Sequence, residues 1–226
     1  MSDFEKIWQE ILIENFQKMG STKTIKMLEN GNLEQPKFST IILKKLKLEL
    51  GEEKTAEAMM NSSCEYPQDD LEDIKAEFQR SRDLKKAHQM LQKRFEYYLE
   101  KVLHLDQEYI IEIQKKYWGA AGKLTGNTII ATKIPKSNHI KDYFNEPDPE
   151  KRRQLYCHCP HIRDHIGIHD IDDLHCYCGA GFYKKIWEYI TGRNVTVIVL
   201  HSIIKGDDFC QFKLEISESQ IVNSVQ

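Results

Sequence analysis

Four of the six cysteines fall between residues 157 and 178, in Tyr156-Cys157-His158-Cys159-Pro160-His161 and His175-Cys176-Tyr177-Cys178-Gly179-Ala180-Gly181. Thiolate and imidazole together are a natural donor set for zinc, so Cys157, Cys159, Cys176 and Cys178 form one candidate ligand set. In an extended Cys-x-Cys the two side chains point to one face, with roughly 7 Å between Cα atoms, so both sulfurs reach one metal only if the backbone turns. A second chemistry centres on Cys178. It precedes Gly179-Ala180-Gly181 and a predicted helix, and a sulfur at the positive end of a helix is a candidate nucleophile with a lowered pKa. His161 or His175 would then serve as its base. His161, His165 and His169 would share one face if their stretch is helical. The third reading is packing, because a buried free cysteine behaves as a small apolar residue.

Around this centre other side chains could meet a ligand. Gly179 and Gly181 would let a small molecule approach the backbone closely. Tyr183 and Trp187 lie on one face of the predicted helix, either as core or as the wall of a cavity. Lys133 and Arg163 are either solvated or placed to orient a carboxylate. Cys210 alternates with Phe212 and Leu214, which predicts core packing, and Cys64 stands far from the other cysteines in sequence.

Composition bounds the rest. A chain of 226 residues buries roughly 70% of the surface its unfolded form exposes, so no disulfide framework is needed for stability. With 40% hydrophobic residues, 30% charged residues and a net charge of −3, neither disorder nor binding of nucleic acid is indicated, and Lys151-Arg152-Arg153 is too short a basic run to change that. Met1-Ser2-Asp3-Phe4-Glu5 has no basic stretch leading into an apolar one, and no run is long enough for a membrane span. The expectation is a cytoplasmic protein, where clustered cysteines point to metal or thiol chemistry.

The elements that position these residues read as helices first and sheet later. Phe4, Ile7, Trp8, Ile11, Leu12, Phe16 and Met19 recur at helical period up to Gly20, and Ser2 and Glu5 have capping-box spacing. Residues 38–50 and 52–60 predict two short helices separated by Gly51, and Asp69 or Asp70 should cap another starting near Leu71. A stripe from Ala87 to Val102 and a helix capped by Asp106, with Leu105 and Ile110 as a hydrophobic staple, predict a helical hairpin. Gly119, Gly122 and Gly126 break the pattern, and residues 127–134 read as a strand ending at Pro135. Residues 180–190 predict a helix stopped by Gly192. Residues 195–202 and 210–216 predict two strands joined across Lys205-Gly206-Asp207-Asp208. The fold class is therefore α+β: one domain over residues 1–217, mostly helical through 118, packed on a small antiparallel sheet with a C-terminal β-hairpin, then a flexible tail over 218–226.

The stretches Tyr156-Cys157-His158-Cys159-Pro160 and Cys176-Tyr177-Cys178-Gly179-Ala180-Gly181-Phe182-Tyr183, with Trp187, make the chain resemble a bacterial and archaeal family that has no assigned activity. That likeness runs from about Cys64 to Ile216 and takes in Ala131-Thr132-Lys133-Ile134-Pro135. More distantly, Val195-Thr196-Val197, Ser202, Gly206-Asp207 and Cys210-Gln211-Phe212 resemble the end of the aminothiazoline-carboxylate hydrolase-like proteins and of the 4-vinyl reductase domain. The latter is itself similar to vesicle-tethering subunits that hold an acyl chain in a hydrophobic channel. The resemblance implies helices around an antiparallel sheet, a small-molecule cavity and often a homodimer. It transmits no catalytic residue, and fold likeness alone does not transmit function. Three functions follow as expectations: a small-molecule-binding or sensing domain with a zinc-holding or ligand-contacting Cys/His site; a zinc- or cysteine-dependent hydrolase of a small C–N or C–S substrate; and a structural metal site in a partner-binding protein.

Overall fold

The computed structural model describes residues 3–29, 37–159, 162–167 and 170–220. The expected flanks of the cysteine segment at His161 and His169 lie outside these residues, as does the tail from 221 onward.

The N-terminal helices build one apolar cluster of their own. Helix α1 (Asp3–Lys18) buries Trp8, Leu12 and Phe16, which recur at i and i+4 and so share one face. Helix α2 (Lys23–Glu29) has its first amides held by the Glu49 carboxylate, which accepts from the N–H groups of Thr22, Lys23 and Thr24 at 2.8, 3.0 and 3.1 Å. A π-helical turn over Phe38–Ile42 runs into α3 (Leu43–Leu50), and Gly51, at φ +86°, separates it from α4 (Glu52–Asn61). Phe38, Leu43, Leu46 and Met59 close this cluster against α1, and Leu174 joins it from the cysteine segment.

The larger core lies between the sheet and the remaining helices. The strands β1 (Gly119–Thr125), β2 (Thr128–Thr132), β3 (Arg193–His201) and β4 (Gln211–Gln220) form an antiparallel sheet in the order β1-β2-β4-β3. Ile129 pairs with Leu214 and Ala131 with Phe212, all four buried on the face that the helices cover. Helix α5 (Glu72–Ser81) follows a short turn over Gln68–Leu71; neither Asp69 nor Asp70 makes the expected side-chain cap, because the turn leads directly into the helix through Leu71. Helix α6 (Leu84–Tyr97) begins at Asp83, whose carboxylate accepts from Lys86 N–H at 3.1 Å. It packs chiefly on β1 and α5, so the hairpin expected between it and α7 (Gln107–Lys115) is replaced by packing on the sheet. Helices α8 (Ile140–Asn145) and α9 (Pro149–Tyr156) pack on each other, and α8 also meets α7. The long α10 (Tyr177–Thr191), stopped by Gly192 at φ +61°, lies over β3 and against α4 and α5.

Two glycines explain a strand that sequence pattern does not show. Gly119, at φ +110°, sits under the ring of Phe95, where an added Cβ would come within 2.6 Å, and Gly122, at φ +57°, would bring a Cβ to 2.3 Å from the Ile130 carbonyl oxygen. The residues read as interruptions are thus the bulged strand β1, whose register shifts between Gly119 and Lys123. The last strand also runs to Gln220, so Glu218, Ser219 and Gln220 belong to the sheet and not to a tail. No helix among the described residues is long and apolar enough to cross a membrane.

Candidate functional site

Helix α9 starts at Asp148, whose carboxylate caps the N–H groups of Glu150 and Lys151, with Pro149 in the first helical position. It ends at Tyr156, a fully buried side chain whose hydroxyl donates to the Lys133 carbonyl and accepts from Cys210 N–H at 3.0 Å. That one hydroxyl fixes the end of α9 against the strand ends carrying Lys133 and Cys210. Cys157-His158-Cys159 follows, braced by Arg163: Nε donates to the Cys157 carbonyl at 2.7 Å and Nη2 to the His158 carbonyl at 3.1 Å. His158 Nε2 lies 2.8 Å from the Ile134 carbonyl, the geometry of an Nε2–H donor. The second pair is positioned by Asp172, whose carboxylate accepts from Leu174 N–H at 3.1 Å and starts the 3-10 turn Asp173–Cys176, which runs directly into α10.

These segments enclose a cavity of about 640 Å³ that is lined by all six cysteines. Cys64 and Cys210, which the sequence set apart, therefore belong to the site; no local pattern marks either one. Tyr66, Leu91, Phe95 and Tyr98 form apolar parts of its wall, with the exposed Cys64, Pro67 and Asp70 at the rim. The wall also carries the other thiols, Lys133, His158, His175 and Tyr183.

The two cysteine pairs do not act as pairs. Successive residues of a helix are rotated by about 100°, so Cys176 and Cys178 face apart. The Cys176 sulfur lies 3.0 Å from Ser202 Oγ and hydrogen-bonds to Cys210. The Cys178 sulfur faces the Ser62 carbonyl at 3.9 Å and accepts from the Trp8 side chain and the Cys64 amide. The Cys159 sulfur is 3.3 Å from His175 Nε2, and His175 Nδ1 is 2.8 Å from Ser39 Oγ. His175 is buried, with Trp8 and Phe38 packed on its ring at 6.1 and 6.2 Å between centroids. Among the described residues no group of three or more His, Cys, Asp or Glu side chains is placed to hold a metal ion. Cys157, Cys159, Cys176 and Cys178 thus share a cavity without converging as the tetrahedral set zinc takes.

Burial dominates the electrostatics. It pushes the thiols of Cys157 and Cys178 up to about 11, against the opposing charge of Lys133. Cys178 does sit in the first turn of α10, yet burial outweighs the lowering expected from a helix terminus, and near neutral pH it is a thiol. The Cys176–Cys210 hydrogen bond raises the first thiol and lowers the second, as expected when Cys176 donates to a Cys210 sulfur. His158 is held down to about 3, first by burial and then by Lys133, so it is neutral at physiological pH.

Of the other sequence candidates, Lys133, Gly179 and Tyr183 line the cavity. Arg163 does not, being committed to backbone carbonyls. Gly181 lies outside because α10 crosses α4 there: an added Cβ would meet the Met60 carbonyl oxygen at 2.0 Å. Trp187 is core, its indole N–H donating to the Ala120 carbonyl at 3.2 Å and its ring stacked on His88. The expected base His161 lies outside the described residues, and His175 faces Cys159, not Cys178. Ser39, which completes that contact, is 136 residues from His175 and carried no signal in the sequence.

Residues 143–221 match DUF6144, a family of unknown function. The DUF6144 match spans α9, both Cys-x-Cys pairs, α10 and the hairpin through Cys210, but not Lys133 or Cys64. No curated protein and no solved structure matches the chain, so the more distant resemblances rest on the sequence motifs alone.

Proposed function

We propose that this chain is a small-molecule-binding domain whose ligand occupies the cavity between α6, α10, the cysteine segments and the sheet. The observation that carries this reading is the cavity itself: about 640 Å³, within the range of small-molecule sites, with a largely apolar wall and a few polar groups set into it. Native mass spectrometry of the purified chain, with thermal-shift screening of aromatic and branched aliphatic compounds, tests it. A ligand present at about 100 times its Kd stabilises by about 2.7 kcal/mol, which for a chain of this size raises Tm by roughly 5–11 °C. Absence of both a co-purified compound and any shift across the screen refutes the proposal.

A second reading, a cysteine-dependent hydrolase, is favoured by one contact: Cys159 Sγ to His175 Nε2, with Ser39 on the far ring nitrogen. It has the form of a nucleophile, a base and a group that orients the base, and it moves the nucleophile from Cys178 to Cys159. Alkylation by iodoacetamide, mapped by mass spectrometry near neutral pH, should modify Cys159 faster than Cys157 or Cys178. His175→Gln should slow Cys159 about tenfold; an unchanged rate eliminates the pairing.

A further inference from the structure

Lys133 projects from a fixed base. Its N–H donates to the Cys210 carbonyl at 2.9 Å and its own carbonyl accepts from Tyr156, so the backbone beside the cavity is tied on both sides. Its ammonium reaches the Gly179 side of the cavity: Nζ lies 4.0 Å from the point that a Cβ on Gly179 would occupy, and that same point is 3.4 Å from Cζ of Phe212. The charge acts on Cys157, His158, Cys178 and Cys210, which come from three separate segments of the chain, so it sits centrally among them.

Nothing in the wall balances that charge. Among the described lining residues the one carboxylate is Asp70, exposed at the rim, and neither Lys133 Nζ nor the Tyr183 hydroxyl has a hydrogen-bond or ion-pair partner among the described residues. Tyr183 is only 4% exposed, and its hydroxyl, which no side chain or backbone group of the described residues satisfies, is left free to meet a ligand in the cavity that it lines. The two groups border the same space. Tyr183 is four residues after Gly179 on α10, helical side chains lean toward the N-terminus, and its ring centroid is 5.1 Å from that of Phe212.

We infer that the Gly179 side of the cavity is a subsite for one negative charge: Lys133 and Tyr183 hold the monoanionic head group, a carboxylate or sulfonate, of a ligand whose apolar body lies toward Phe182 and Phe95. This rests on the small-molecule reading above. The charge count decides the valence. Lys133 is the single ammonium or guanidinium among the described lining residues, and the imidazole of His158 stays neutral, so a dianionic phosphate would bring a second, uncompensated charge into a poorly solvated space. Gly179 keeps the approach open where any side chain would stand between Lys133 and Phe212.

The test compares matched acids and amides on the full chain by calorimetry: 2-naphthoate, 2-naphthalenesulfonate and 2-naphthamide, with phenylacetate and hexanoate and their amides as further pairs. The acids should bind at least about tenfold tighter than the amides, because a half-buried charged donor facing the cavity is matched in one case and not in the other. Lys133→Met should bring the ratio to about one. Tyr183→Phe, which keeps the ring packing, should weaken the acid about fivefold and leave the amide unchanged. An amide that binds wild type as tightly as its acid overturns the anion subsite and leaves the cavity reading standing; so does a ratio that survives Lys133→Met. Binding by no member of any pair overturns both.

Discussion

The thiols of Cys157 and Cys178 make stability at alkaline pH a direct readout of how dry the cavity wall is. Each is pushed by burial from an ordinary value of 9.0 to about 11. The sign follows from which state ionises first. Below pH 9 both folded and unfolded chains hold the proton and the groups contribute no pH dependence. Between about 9 and 11 the unfolded thiol ionises while the folded one cannot, so stability falls as pH rises. At about pH 10 the loss is about 1.4 kcal/mol per thiol, growing toward about 2.7 kcal/mol once the folded pKa is passed. Urea denaturation of wild type, Cys157→Ala and Cys178→Ala at about pH 7.5 and about pH 10 isolates the effect. Each truncation has its own cost, but that cost appears at both pH values and cancels, as does the ionisation of lysines and tyrosines elsewhere. The fall in stability between the two pH values should be smaller by about 1.4 kcal/mol in each variant. An identical fall in all three proteins refutes the reasoning, and with it the conclusion that burial overrides both Lys133 and the helix terminus at Cys178.

Gly181→Ala drives a methyl group into the Met60 carbonyl, 2.0 Å away, where two helix backbones cross; it should cost about 3 kcal/mol or more, whereas Gly179→Ala, with its nearest neighbour at 3.4 Å, should stay within about 1 kcal/mol. Equal urea midpoints for the two variants would show that the crossing of α4 and α10 is not as tight as drawn. Tyr156→Phe removes the hydroxyl that joins Lys133 and Cys210 across the strand ends, leaving a buried carbonyl and amide without that partner, and should lower unfolding free energy by about 2–3 kcal/mol. A loss under about 0.5 kcal/mol in equilibrium denaturation counts against that bond as the clamp of the site.

Periodicity exposed the elements that bury one face and hid those that rely on backbone geometry. Helices α1, α4 and α10 and the hairpin β3–β4 follow from apolar spacing with glycine stops, because each presents a single wet face and a single dry one. Strand β1 was invisible for the opposite reason: its two glycines, Gly119 and Gly122, serve close approach to Phe95 and a bulge against Ile130, contacts with residues distant in sequence, and locally they read as breaks. The expected caps at Asp69 and Asp106 make no capping hydrogen bond to a helix amide, and the Asp106 carboxylate pairs instead with the Lys141 ammonium at 2.6 Å.

The site shows the same limit in sharper form. The Cys-x-Cys spacing is what draws the eye to residues 157–178, and it predicts sulfurs that act two by two. In the folded chain three of the four sulfurs turn to a partner from elsewhere: Cys176 to Cys210, Cys178 to Cys64 and Ser62, and Cys159 to His175, while Cys157 alone stays within its pair, facing the Cys159 carbonyl. Helical rotation at the start of α10 makes the split of Cys176 from Cys178 unavoidable, and it distributes thiols around the wall of a cavity instead of gathering them at a point. The thiols of Cys157 and Cys178, raised by burial, and of Cys176, raised by its hydrogen bond to Cys210 and by burial, make that part of the wall soft, nearly apolar and poor at stabilising charge. The one ammonium among the described lining residues therefore dominates the field inside, which is why Lys133, one of two basic candidates in the sequence with nothing to separate it from Arg163, outranks the cysteines as the determinant of what the cavity would hold on the proposed reading.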